Sequence, residues 1–267
     1  MSETPRVIRR DFGGKSSSEW TNDDIENLNI KTEHIKSFND FFNMSPPVSF
    51  SNPDINKLLE INILDIVSEP NSFIRDKNMS WKIKTFIKDL VAVTRVHRNE
   101  ESAVDDMAKT LLALFEYDDN GLTIRSRPII KLNMAGTLTQ ANPDICIEET
   151  DTCIKLLVQE DKSANTTYNN SIRSRQAEPQ LIAEAIAAYQ SNCEIRKTLG
   201  EEDKIEECQE VPGITLIEDG YIPAEKTIVR KYIIPGMPID RENIMLSSRH
   251  IKIIAQCYEA FKRFIID

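Results

Sequence analysis

Asp144, Glu160 and Lys162 are two carboxylates and an ammonium that simple strand geometry can bring to one place. Asp144 follows Pro143 at the head of the run Pro143–Glu149, while Glu160 and Lys162 close the run Thr152–Lys162. Two antiparallel strands joined by a tight turn set their far ends side by side. Alternation along the second run predicts that Glu160 and Lys162 share a face with Ile154, Leu156 and Val158, with Gln159 and Asp161 facing the other way. Two carboxylates aimed at a common point repel each other, and a hard divalent cation with oxygen ligands, Mg²⁺ or Mn²⁺, relieves that repulsion. Such an ion polarises a phosphodiester and lowers the pKa of a bound water, while a lysine orients the water or offsets charge in the transition state. The chemistry implied is hydrolysis of a phosphodiester.

The elements around these residues must hold the two strand ends together. Upstream, the stretch ESAVDDMAKTLLALFEY reads as a helix capped by Asn99, with Val104, Met107, Ala108, Leu111 and Phe115 on its buried face. The segment from Asp118 to Gly121 stops it. Three strand-like runs follow, LTIRSRPIIKLNM, PDICIEE and TCIKLLVQEDK, separated at Ala135-Gly136 and Glu149–Asp151, and a three-stranded antiparallel meander is the economical arrangement. Next comes a helix over EPQLIAEAIAAYQSNCEIR, with Glu178 and Pro179 in its first turn and Leu181, Ile182, Ala185, Ile186 and Tyr189 on one side. GITLIEDG and KTIVRKYII form strand candidates around Asp219-Gly220, and a helix started by Ser247 or Ser248 closes the chain.

Before this core, helical spacing recurs from Ile55 to about Val67 and from Ser80 to about Val96, the latter striped by Trp81, Ile83, Phe86, Ile87 and Leu90. Residues 1–50 read as a flexible or partly helical N-terminal arm, in which Ile25, Leu28, Ile30, Ile35 and Phe38 make an imperfect apolar stripe. Residues 51–267 then form a single domain. The order helix, three strands, helix, strand predicts an α/β fold with a mixed β-sheet flanked by helices.

Pro143-Asp144 followed by Glu160-Asp161-Lys162, set between two helices, resembles the PD-(D/E)XK nuclease superfamily over roughly residues 99–234. The resemblance implies a restriction endonuclease-like fold, with an N-terminal arm and extra helices here. It implies Asp144 and Glu160 as metal ligands, the Asp161 carbonyl as a further ligand, and Lys162 as the catalytic lysine. An acid on the helix before the first strand often completes such sites, here Glu101 or its neighbour Glu100. A polar residue on the helix after the third strand often faces the site, here Gln180 or Glu184. The Gln-x-x-x-Tyr pattern of one branch of the superfamily is absent. The expected activity is Mg²⁺- or Mn²⁺-dependent cleavage of nucleic acid, with DNA the expected substrate rather than RNA.

Bulk properties frame that expectation. With 267 residues, 40% hydrophobic and 28% charged, the chain can build one sizeable core with appendages. No apolar run approaches a spanning helix and the N-terminus has no apolar signal centre, so an intracellular home, cytoplasmic or nuclear, is expected, with no membrane partner. The cysteines, Cys146, Cys153, Cys193, Cys208 and Cys257, form no CxxC pair and read as reduced, mostly buried thiols. His34, His97 and His250 accompany no GxSxG or reactive-cysteine motif, and no P-loop or GxGxxG appears. The net charge of −10 is unfavourable for a nucleic-acid binder, although a local basic strip at Arg125, Arg127 and Lys131, or at Arg173 and Arg175, can coexist with it. Two alternatives therefore stand beside the nuclease: a nuclease-like fold without catalysis that acts as a binding or scaffold module, and an interaction protein of different ancestry. The oligomeric state is left open.

Overall fold

The computed structural model describes residues 14–95, 101–134, 136–149, 153–159, 170–205, 211, 213–215, 227–232 and 248–266. In chain order the helices are α1 (Asn22–Asn27), α2 (Phe38–Phe42), α3 (Pro53–Glu60), α4 (Ile63–Ser68), α5 (Pro70–Arg75), α6 (Trp81–Arg95), α7 (Glu101–Leu114), α8 (Asn170–Leu199), α9 (Ser248–Phe261) and α10 (Arg263–Ile266). The strands are β1 (Ile30–Ile35), β2 (Leu122–Ser126), β3 (Ile130–Met134), β4 (Thr137–Ala141), β5 (Ile145–Glu149), β6 (Ile154–Gln159), β7 (Gly213–Thr215) and β8 (Thr227–Tyr232). The fold is mixed α/β.

The central sheet has the order β2-β5-β6-β7. β2 and β5 pair antiparallel, β5 and β6 pair antiparallel, and β6 and β7 pair parallel. Its middle is buried on both faces, which is why β5 reads as an unbroken apolar run: Ile145, Cys146 and Ile147 are all at or below 1% exposure. Ile145, Ile147 and Leu156 join a core with Ile83, Phe86, Ile87 and Leu90 of α6 and Met107, Leu111 and Leu112 of α7. Cys146, Ile154 and Leu157 join a second core with Ile182, Ala183, Ala187 and Ala188 of α8. The alanines let α8 lie close to the sheet. Gly213 of β7 shows how close: a Cβ there would meet the Leu181 side chain at 2.9 Å.

The antiparallel meander is present as β2-β5-β6, but its first run is two strands rather than one. Arg127 takes a left-handed φ of 49° just before Pro128, and the chain turns out of the central sheet there. β3 then pairs with β4 as a separate hairpin, with Gly136 at φ 86° in its turn. β4 has no counterpart in the sequence pattern, because Thr137–Ala141 carries a single large hydrophobe, Leu138, and that side chain is 64% exposed. α8 begins at Asn170, ahead of the expected start, and carries Pro179 within it. Trp81 opens α6 but is 70% exposed, so the buried stripe starts at Ile83. The two late strands are not a hairpin: β7 extends the central sheet, β8 pairs parallel with β1, and Asp219-Gly220 lies outside the described residues.

The N-terminal segment is built in rather than draped outside. Asn29, at φ 58°, ends α1 and turns Ile30–Ile35 into a strand where the apolar stripe had suggested helix. Trp20 and Ile30 enter the core beneath α8, and Phe38 and Phe42 pack on Cys257 and Ala260 of α9. Asp24, with only 6% of its side chain exposed, is clasped by Lys15 at 2.7 Å. Burial pushes the Asp24 carboxyl up, but the Lys15 hydrogen bond and the Thr21 donors outweigh it and hold the group below the usual carboxylate range.

Two amides stitch α8 to the strands. Asn192, fully buried, accepts from the Ile154 N–H at 2.8 Å and donates to the Ile154 carbonyl at 2.9 Å, as a neighbouring strand would. Gln190 does the same for Asn133 at an exposed position. Removing the buried clamp orphans two backbone groups, so Asn192→Leu is expected to cost about 3 kcal/mol in urea unfolding, whereas Gln190→Ala should cost less than about 1 kcal/mol. Asp24, depressed when folded, contributes stability above its unfolded pKa that is lost as pH falls from about 4 through the folded value. Acid titration followed by tryptophan fluorescence should therefore show a step in this range that Asp24→Asn abolishes.

Candidate functional site

The candidate site begins where β4 hands over to β5. Asn142 and Pro143 follow β4, Asp144 sits in a bend, and β5 starts at Ile145. Asp144 is 6% exposed, unusual for a carboxylate without a specific role or partner. Its carbonyl accepts the Arg127 N–H at 2.8 Å, which continues the β2–β5 ladder by one step. On the other side, Ile145 pairs with Val158, so one further step sets Asp144 across from Gln159. The register thus brings Asp144 next to the point where β6 leads into Glu160.

Glu160, Asp161 and Lys162 lie outside the described residues. The expected face of β6 needs correction, however. Leu156 faces the core under α6 and α7, whereas Ile154 faces α8. The pairing shifts from Ile147↔Leu156 to Glu148↔Ile154, making Lys155 the extra residue of a β-bulge. Simple alternation fails across that bulge, and Ile154 does not share a face with Leu156.

α7 supplies an acid, at a different position from the expected one. Glu101 opens the helix, its side chain outside the described set, and Glu100 also lies outside it. One turn further along, Asp105 reaches the same end of the sheet: the Arg127 guanidinium donates to its Oδ2 at 2.6 Å. The Asp105 Oδ1 is buried with no hydrogen-bond partner among the described residues. A buried carboxylate oxygen without a donor is costly, and such atoms call for a physical reason. Asp105 was legible as the residue four positions after Glu101 and therefore on the same helix face, but nothing in the sequence joined it to Arg127.

A second polar group sits on α8. Gln180 and Glu184, one turn apart, are joined by a hydrogen bond of 2.9 Å from the Gln180 amide, and Glu184 is fully buried. Ser17, 1% exposed, donates to Glu184 Oε1 at 3.3 Å and accepts the Asn142 N–H at 3.4 Å. A chain of hydrogen bonds therefore runs from α8 through the N-terminal segment to the turn that presents Asp144. Sequence reasoning missed Ser17 because it falls within residues taken as an arm. The local signal was the Ser16-x-x-Glu19 capping box that shapes the turn around it.

Other features of the site are structural. Cys146 lies two residues after Asp144 in the chain, but burial first, and then the nearby Glu148 charge, push its thiol far above the usual range, so it offers no thiolate nucleophile. Arg125 is ion-paired with Glu148. Among the described residues no group of three or more Asp, Glu, His or Cys side chains is gathered as a metal cage. The donors at this end of the sheet are carboxylate oxygens, a set that suits hard cations such as Mg²⁺ and Mn²⁺ and not soft ones.

Ser17→Ala should leave the fold intact, cost about 1 kcal/mol, and speed hydrogen exchange at the Asn142 amide without changing exchange at Ile147. Unchanged exchange at Asn142 would contradict the link between the N-terminal segment and the Asp144 turn. Comparison of the chain with protein-family models, with curated proteins and with solved structures finds no match.

Proposed function

We propose that this chain is a Mg²⁺- or Mn²⁺-dependent nuclease with a restriction endonuclease-like core, and that it hydrolyses phosphodiester bonds of nucleic acid, DNA in the first instance. The observation that carries the reading is the β5–β6 register: Ile145, next in the chain to buried Asp144, pairs with Val158, two residues before Glu160 in the sequence. The element order supports it as well. Between α7 and α8 lie the antiparallel strands β2, β5 and β6 of the central sheet, with the separate β3-β4 hairpin inserted after β2, and β7 follows α8, an order compatible with the helix, three strands, helix, strand pattern once that hairpin is set aside.

In this reading Asp144, Glu160 and the Asp161 carbonyl are the oxygen ligands for the cation, and Asp105 takes the part expected of Glu101. When bound, the cation polarises the phosphodiester and lowers the pKa of an attacking water. Lys162 orients that water and offsets negative charge as it develops on the phosphate. Gln180 and Glu184 brace the turn through Ser17 instead of touching substrate.

The test is cleavage of single- and double-stranded DNA and RNA with Mg²⁺ or Mn²⁺ by the wild type, Asp144→Asn, Lys162→Ala and Asp105→Asn. Asp144→Asn and Lys162→Ala should each lose at least about 100-fold in rate, with Asp105→Asn intermediate. Equal activity in all four proteins would remove the proposal. No cleavage, together with no calorimetric heat from millimolar Mn²⁺ on the folded wild type, would instead favour a binding or scaffold module.

A further inference from the structure

The two tryptophans of the chain are placed very differently: Trp20 is 1% exposed and Trp81 is 70% exposed. An indole left in water forgoes a large apolar burial. The helix that carries Trp81 explains where it stands. Ile83, Phe86, Ile87 and Leu90 take the buried side of α6. Helical periodicity sets Trp81, Lys84 and Lys88 together on the opposite side, within about 10 Å along the axis. Ser80 fixes the head of the helix, because its hydroxyl accepts the Ile83 N–H at 3.2 Å and donates to Asp54. Trp81 is thus presented by a capped, packed helix.

The charges beside it are uncommitted. Among the described residues neither Lys84 nor Lys88 forms an ion pair, and no ring or cation stacks on the Trp81 indole. Asp89, the one acid on α6, is turned to α7, where the Thr110 hydroxyl donates to it. Residues 75–95 hold six basic residues against two acidic ones, in a chain of net charge −10, so this stretch attracts polyanions that the rest of the protein repels. An open indole beside two unpaired ammoniums combines base stacking with attraction for phosphates, the pairing by which single-stranded nucleic acid is held. A duplex keeps its bases inside the stack and offers the indole none. A membrane surface requires the apolar face of a helix to turn outward, and that face of α6 is buried in the core. We infer that the outer face of α6 docks single-stranded nucleic acid, with a base stacked on Trp81 and phosphates held by Lys84 and Lys88. The class of partner rests on the nucleic-acid reading above, but the surface takes no part in the phosphodiester chemistry. α6 runs antiparallel to α7, with Lys82 donating to the Ala113 carbonyl at 3.1 Å, so the Lys88 end of the face lies toward the Asp105 end of α7.

The experiment titrates the full chain in EDTA, so that nothing is cut. The probes are oligothymidylate, oligouridylate, a DNA duplex, and vesicles of phosphatidylserine and phosphatidylcholine. Tryptophan emission reports on Trp81, since Trp20 is buried, and anisotropy of fluorescein-labelled strands gives affinity over a series of salt concentrations. A single strand should quench the emission, and Trp81→Phe should remove the quench while keeping most of the affinity. Trp81→Ala should weaken binding about tenfold. Lys84→Gln together with Lys88→Gln should lower the slope of log K against log salt by about 1.4. A wild type that binds neither strand, or binds one with no change in emission, overturns the inference, as does a folded Trp81→Ala protein with unchanged affinity. Tighter binding of the duplex overturns it too, and so do vesicles that shift the emission where strands do not. The wild-type emission decides the case even where a variant fails to fold. Cleavage with Mn²⁺ by a protein that shows no quench removes this inference and keeps the nuclease reading. A quench that depends on Trp81, in a protein that does not cut with Mg²⁺ or Mn²⁺, removes the nuclease reading and leaves this inference standing.

Discussion

The pairing of β5 with β6 is the interaction on which the rest of the molecule depends. Both strands are buried on their two faces, so each residue has a fixed side, and a slip of one position would drive apolar side chains out of both cores. Packing therefore determines the register. That register carries Asp144 to the end of β6, and the Arg127 N–H continues the ladder on the opposite flank. A carboxylate held at 6% exposure in such a frame has little freedom to reposition. The position of the candidate site is in this sense a by-product of core packing.

The layers on either side of the sheet do different work. Under α6 and α7 the core is broad and apolar, and α7 brings Asp105 to the edge of the site. Under α8 the core is thinner, floored by alanines, and the helix is tied down by polar contacts: Asn192 on Ile154, Gln190 on Asn133, and Glu184 through Ser17. Buried polar links of this sort are specific because leaving any member unpaired is expensive. They fix α8 and the N-terminal segment relative to the Asp144 turn in a way that apolar contacts alone do not.

Much of the frame was legible in the sequence. The 3.6-residue stripe of α7 and the apolar runs of β5 and β6 are local signals, and each leads to the element expected. What escaped was decided by long-range contacts or by single backbone angles. Ile30–Ile35 carries a helix-like spacing, but Asn29 in the left-handed region and pairing with distant β8 make it a strand. The bulge at Lys155 leaves no trace in the pattern, yet it separates Ile154 from Leu156. Asp105 and Ser17 are ordinary residues of an acidic helix and a polar segment until Arg127 and Glu184 are placed beside them. Asp144 could be singled out from types and spacing, whereas the residues packed around it could not, because they come from positions far apart in the chain.

The central claim is that neighbouring strand ends present their carboxylates to one cation. It is tested most directly by a crystal structure of the protein soaked with Mn²⁺ and measured for anomalous scattering. The account predicts a peak between the Asp144 and Glu160 side chains with oxygens of both at about 2.0–2.6 Å, the span of hard divalent cation sites. A clear map with no peak there, and the two carboxylates turned to opposite faces of the sheet, would contradict it.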